Sequence, residues 1–307
     1  MSISARRGRS ICHLPHLAGE LSLVASTADR GGSAATRGYV FGHSDAELRR
    51  LTFQAALVEP ITRQLLVDAD IGEGMRVLDV GTGRGDVAFL ASELVGESGV
   101  VLGIDQAPDA IAVARDRATA TSCANVSFEV GDPGEFRFAF DFDAIVGRYV
   151  LQFLRDPVTS LRRLVACLRP GGVVAFHEID WTAHRSLPPV PLWDRCCRLV
   201  TEAIAAGGAR LDTGAQIPLM FAQASLPAPT MQMTTVVGAG ANSADVVQRL
   251  SNLMLSLRPA MEEKGLVAPG EFDPETLPEQ LGDEVAGYAS FVAAASEVTA
   301  FSHPLGR

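Results

Sequence analysis

One stretch limits what this chain can fold into more than any other: Met75-Arg76-Val77-Leu78-Asp79-Val80-Gly81-Thr82-Gly83-Arg84-Gly85-Asp86. Val77, Leu78 and Val80 suit a short strand buried on both faces. Gly81, Gly83 and Gly85 then permit backbone angles closed to other residues and let a ligand approach the main chain. From Asp86 onward, Val87, Leu90, Ala91 and Leu94 recur at helical spacing. Strand, glycine turn and helix start direct unpaired N–H groups at whatever lies above the turn. That is a nucleotide-type site on an open α/β sheet.

The alternation continues downstream. Strands are expected at Val100–Asp105, Val126–Val130, Phe142–Val146 and Val173–Ile179, with helices at Pro108–Ala120 and from Asp156 through Leu168, the last stopped by Arg169-Pro170-Gly171-Gly172. This rhythm predicts a doubly wound parallel sheet with right-handed crossovers. Ahead of it, Ser44-Asp45-Ala46-Glu47 reads as a capping box, and helices through Leu48, Leu51, Ala55, Val58, Ile61, Leu65 and Leu66 read as a lid. Past Trp181 the pattern changes. Helices are expected at Leu192–Ala206, 214–224 and Ser243–Glu263, a strand at Met231–Val237, and an edge strand near Val298–Phe301. The expected organisation is a disordered tail over 1–36, a helical lid over 37–70, a cofactor-binding core over 71–180, and remaining strands with helical substrate-cap insertions over 181–307.

The spacing of the turn separates two cofactor classes. A dinucleotide fingerprint is G-x-G-x-x-G, whereas here the third glycine comes one residue early and Asp86 stands where that fingerprint wants glycine. An acid there is expected to repel a pyrophosphate. Polar residues at the carboxyl ends of the strands mark the binding rim. Asp105 ends the second strand, Gly131-Asp132-Pro133 follows the third, and Gly147-Arg148-Tyr149 ends the fourth. With Phe142-Asp143-Ala144 and Leu168-Arg169-Pro170-Gly171-Gly172, this ordered set resembles the class I S-adenosylmethionine (SAM) methyltransferases over roughly residues 72–180. Within them it is similar to the ubiquinone/menaquinone-type small-molecule branch.

The resemblance implies a Rossmann-like fold and a SAM site. The Gly81-Thr82-Gly83-Arg84-Gly85 backbone would hold the methionine moiety, with Asp79 behind the turn. Asp105 would accept from the ribose hydroxyls and Asp132 from the adenine amino group. Gln106 would flank the ring, Pro133 would stiffen its loop, and Arg148 would meet the methionine end. Tyr39 and Gln54 would close over the cofactor. Asp105 and Asp132 also suit helix caps or turn formers, and Arg148 a structural ion pair. His177 and Glu178, on opposite faces of the fifth strand, are the candidate general bases; a buried polar role at a strand end suits them equally.

A net charge of −10 and a single lysine, Lys264, disfavour nucleic acid as a partner. The five cysteines contain no C-x-x-C pair and read as reduced thiols in a cytoplasmic protein, without a metal site. No run has the length of a membrane span, and a homodimer is compatible with the sequence. The expected function is methyl transfer from SAM to a small, partly apolar metabolite. The alternative keeps the SAM site in a cyclase, isomerase or regulatory binding protein. An NAD(P)-dependent oxidoreductase fits less well, given Asp86 and the absence of a Tyr-x-x-x-Lys pair.

Overall fold

The computed structural model describes residues 58–138 and 141–304. The expected tail, the capping box, Tyr39 and Gln54 lie outside them. Eight strands form one sheet in the order β3-β2-β1-β4-β5-β8-β6, with β7 also paired to β8. Strands β1 (Arg76–Val80), β2 (Val100–Asp105), β3 (Val126–Val130), β4 (Phe142–Arg148) and β5 (Leu168–Asp180) are mutually parallel. The strand order reverses direction between β1 and β4, which opens the crevice where such sheets bind ligands.

Helices cover both faces. On one, the helix over 58–68 (α1) and α2 (Asp86–Val95) pack Leu65, Leu66, Val87 and Leu90 against Val77, Val146 and Ala175. On the other, α4 (Pro157–Val165) and α6 (Thr213–Gln223) pack Leu161, Ile217 and Phe221 against Ile145 and Phe176. Helix α3 (Pro108–Thr121) returns the chain from β2 to β3. A further core joins Trp181 and Trp193 with α5 (Pro191–Ala206), α7 (Ala244–Glu263) and α8 (Leu277–Gly287).

Three expectations change. Helix α4 ends at Val165, and Leu168 already begins β5; Asp143 draws Arg169 down to β4 by an ion pair at 2.9 Å. Helix α8 had no counterpart in the sequence reading, although Leu277, Leu281 and Val285 recur every four residues and are buried. The expected edge strand is instead interior. Strand β8 (Phe291–Ser302) runs antiparallel between β5 and β7 (Thr230–Ala239), and its first residues also pair with the short β6 (Arg185–Leu187). Ala293, Ala294 and Ala300 are buried along it. A strand covered on both faces by small residues loses the alternation that reveals half-exposed strands.

Candidate active site

The register fixes which residues share the carboxyl rim. Val80 pairs with Ile104 and Gly147, Asp105 with Val130, and Arg148 with His177, which pairs in turn with Thr299. Asp105, Arg148 and His177 therefore stand in one row just beyond the last β1 pair, beside Gly81.

The glycine turn needs its glycines for two different reasons. Gly81, Gly83 and Gly85 all have positive φ, at 67°, 54° and 87°. A Cβ on Gly81 would lie 2.6 Å from Val150, and one on Gly85 2.7 Å from Phe128, so these two are packing glycines. A Cβ on Gly83 would meet nothing within 4 Å. Gly83 thus opens onto free space, and its N–H donates to Asp105 Oδ2 at 2.8 Å. Asp105 Oδ1 accepts from Ala107 N at 2.9 Å. Asp132 is held likewise, accepting from Gly134 N at 2.7 Å and from Gln106 Nε2 at 2.9 Å. Both acids are half-buried turn formers, and each carboxyl oxygen keeps lone-pair capacity for a ligand donor. Pro133 is buried beneath its loop.

Behind the turn, Thr82 Oγ1 donates to Asp79 Oδ2 at 2.6 Å, while Oδ1 of the fully buried Asp79 has no partner. Burial pushes that carboxyl up to about 7, against the opposing hydrogen bond from Thr82. Asp86 corrects an earlier expectation. Its carboxylate pairs with Arg117 at 2.7 Å and with Arg148 at 3.4 Å, so its charge is compensated and it supplies little argument against an anionic ligand.

Beyond Arg148 lies a group that local sequence reading missed. Arg148 Nη1 donates to Thr62 Oγ1 at 3.3 Å, and Thr62 shares a hydrogen bond with His177 Nδ1 at 2.9 Å. His177 Nε2 meets Glu297 Oε2 at 3.1 Å, and the Tyr149 hydroxyl donates to the same oxygen at 2.7 Å. Arg249 forms an ion pair with the other oxygen of Glu297. Burial drives the His177 pKa down, against the pull of Glu297. The Glu297 carboxyl is held at about 2: burial alone would raise it, and Arg249 and His177 more than offset that. Thr62 on α1, Tyr149 in the turn after β4, Arg249 on α7 and Glu297 on β8 come from four separate stretches of chain, and no spacing links them.

The expected bases differ from what a base requires. His177 is fully buried, with Thr62 on one ring nitrogen and Glu297 on the other. Glu178, on the opposite face, is also fully buried, and its Oε1 accepts from Val150 N and Leu151 N, each at 2.8 Å. It ties down the turn in which Tyr149 takes φ 57°. Burial raises Glu178 to about 8, against those backbone donors. In this arrangement neither side chain faces a cleft.

Comparison with known proteins agrees with the geometry. Residues 71–216 match a methyltransferase-domain family. This stretch is a class I methyltransferase domain. Its relatives include the aklanonic acid methyltransferase DauC of Streptomyces sp. (strain C5), 42% identical over 118 residues, which are 38% of this chain and 54% of the relative. Another is a 2-phytyl-1,4-naphtoquinone methyltransferase of Synechococcus elongatus, 38% identical over 119 residues, 38% of this chain and 49% of that one. The chain spans about half the length of these relatives. Among solved structures, a putative methyltransferase from Bacillus halodurans C-125 superposes with a TM-score of 0.55 at 16% identity, covering 79% of this chain and 98% of the other, which bears on the fold alone.

The cofactor of such domains is SAM, and the residues present fit it. Open space over Gly83, a turn of positive-φ glycines and two carboxylates with spare acceptor capacity suit a ligand carrying hydroxyl and amino donors. Among the described residues, no helix is long and apolar enough to cross a membrane.

Proposed function

We propose that the chain is a SAM-dependent methyltransferase whose acceptor is a small, partly apolar metabolite. The observation that carries this reading is the open cradle at Gly83, flanked by Asp105 on the adjoining strand and by Arg148 on the other side of the switch point. The Gly81–Gly85 main chain would hold the methionine moiety and Arg148 its end. Asp105 would take the ribose and Asp132 the adenine amino group, with Thr82 and Asp79 bracing the turn. Gln106 and Pro133 would shape the ring's edge, and Tyr39 and Gln54 would close over it.

SAM when bound supplies an electrophilic methyl group on a sulfonium. The residues of the chain are then left to orient the acceptor and exclude water, which is where most of the acceleration of such a displacement arises. His177 and Glu178 act here by positioning: His177 links α1 to β8 through Thr62 and Glu297, and Glu178 fixes the turn carrying Arg148 and Tyr149. Relatives named as methyltransferases of aklanonic acid and of a phytyl-naphthoquinone support a small-molecule acceptor.

Incubation with methyl-labelled SAM and a panel of small phenols, quinols and aromatic acids tests the reading. S-adenosylhomocysteine should accumulate with at least one of them. Tight cofactor binding with no turnover on any class would favour a SAM-binding protein that uses the fold without methyl transfer.

A further inference from the structure

We infer that Thr62, on α1, is a positioning residue for the cofactor: its hydroxyl sets the guanidinium of Arg148, which would hold the carboxylate at the methionine end. The inference rests on the methyltransferase reading and deepens it. Arg148 ends β4 beside the glycine turn, since Gly147 pairs with Val80 at the end of β1. Its charge is felt by Asp79 behind that turn. Arg148 Nη1 donates to Thr62 Oγ1 at 3.3 Å, and Nη2 donates to Asp86 Oδ2 at 3.4 Å. A guanidinium has more N–H donors than these two acceptors occupy, and the Arg148 side chain is 12% exposed. It is braced from α1 and α2, yet keeps donors for an anion at the rim.

Charge dictates the direction of the hydrogen bonds behind Arg148. Glu297 is ionised, pairs with Arg249, accepts from the Tyr149 hydroxyl and faces His177 Nε2 at 3.1 Å. Burial keeps His177 neutral, so its ring carries one N–H, and the carboxylate on Nε2 requires it there. Nδ1 is then an acceptor, and the Thr62 hydroxyl donates to it at 2.9 Å. Donation to Val58 O instead, at 3.1 Å, would set two lone pairs against each other at Nδ1. With its proton committed to His177, the buried Thr62 oxygen turns its lone pairs to Arg148. Glu297, His177, Thr62 and Arg148 thus form one oriented chain from β8 to the cofactor rim.

Calorimetry on the full chain tests this with two ligands: S-adenosylhomocysteine, and 5′-methylthioadenosine, which keeps the adenosine but lacks the amino-acid end. Thr62→Val keeps the shape of the side chain and removes the hydroxyl. It should weaken S-adenosylhomocysteine about fivefold or more, the scale of one hydrogen bond, and 5′-methylthioadenosine by no more than about twofold. Thr62→Ser should restore the affinity of the unaltered protein. Equal losses for both ligands would mark Thr62 as structural support alone and overturn the inference, as would no loss for either. In an Arg148→Met background, Thr62→Val should add nothing further to the discrimination; an undiminished effect there also overturns it. Should Thr62→Val not fold, a crystal structure of the unaltered protein with S-adenosylhomocysteine replaces it. Arg148 on the ligand carboxylate and still on Thr62 supports the inference; Arg148 away from either contradicts it. If S-adenosylhomocysteine does not bind the unaltered protein, the methyltransferase reading itself fails and the inference falls with it.

Discussion

The two halves of the rim hold their polar groups in opposite ways. On the parallel side, from β3 to β1, each acid is tied to backbone N–H groups of adjoining turns: Asp105 to Gly83 and Ala107, Asp132 to Gly134. These groups are half-buried and keep capacity for a ligand. On the side of β5 and β8, the groups are tied to each other across more than a hundred residues, as in His177 with Glu297, and are sealed from solvent. The first half is a ready-made binding edge. The second is a cross-linked floor whose integrity depends on charge pairing in the interior.

The largest expected effect lies in the second half. Glu297→Ala strips the partner from buried Arg249 and from His177 and Tyr149, and should cost about 3–5 kcal/mol of stability by denaturant unfolding, the scale for breaking one side of a buried ion pair. A loss under about 1 kcal/mol would mean that the floor is not cross-linked in this way. The matching change in the first half, Asp105→Asn, should cost less stability, because only one of two half-buried backbone N–H groups loses its acceptor. It should weaken S-adenosylhomocysteine binding about tenfold or more, on the roughly 1.5–3 kcal/mol scale of hydrogen bonds to charged groups. Equal affinity would remove Asp105 from the ligand's reach.

Smaller changes sharpen the contrast. Gly83→Ala meets no neighbour and carries only the left-handed backbone penalty of about 1 kcal/mol, yet should lower cofactor affinity because its methyl enters the open cradle. Gly81→Ala strikes Val150 and should lose more stability. The smallest effect is a pH slope. Asp79 and Glu178 have folded pKa values raised from ordinary carboxylate values to about 7 and about 8. The folded state therefore holds more protons than the unfolded one between about pH 4 and 8, so stability from these groups is full at the acid end and falls as pH rises through that window. Glu297 works the other way, its contribution lost as pH falls from the unfolded value toward about 2. Glu178→Gln, which mimics the protonated acid, should flatten the neutral part of the curve. An unchanged slope would exclude Glu178 as its source.

The same contrast explains what the sequence discloses. The β1 turn, Asp105 and Asp132 are legible because strand, glycine and acid lie within a few residues of one another and their partners are local. The charge compensation of Asp86 was not legible because its arginines, Arg117 and Arg148, are 31 and 62 residues away. His177 and Glu178 were visible as polar groups ending an apolar strand, but alternation alone does not say that one is locked between α1 and β8 and the other under a loop. Glu297 and Arg249 carry no local signal. Only the insertion of β8 beside β5, set by tertiary pairing of alanine-rich residues, brings them to the rim.

The central claim, that the carboxyl rim binds SAM through Gly83 and Asp105, is tested most directly by paired calorimetric titrations of the full chain with S-adenosylhomocysteine and with NADH. Saturable one-to-one binding of the thioether, weakened in Asp105→Asn, and no heat from the dinucleotide is the predicted result. Binding of NADH alone, or thioether binding indifferent to Asp105, would contradict it.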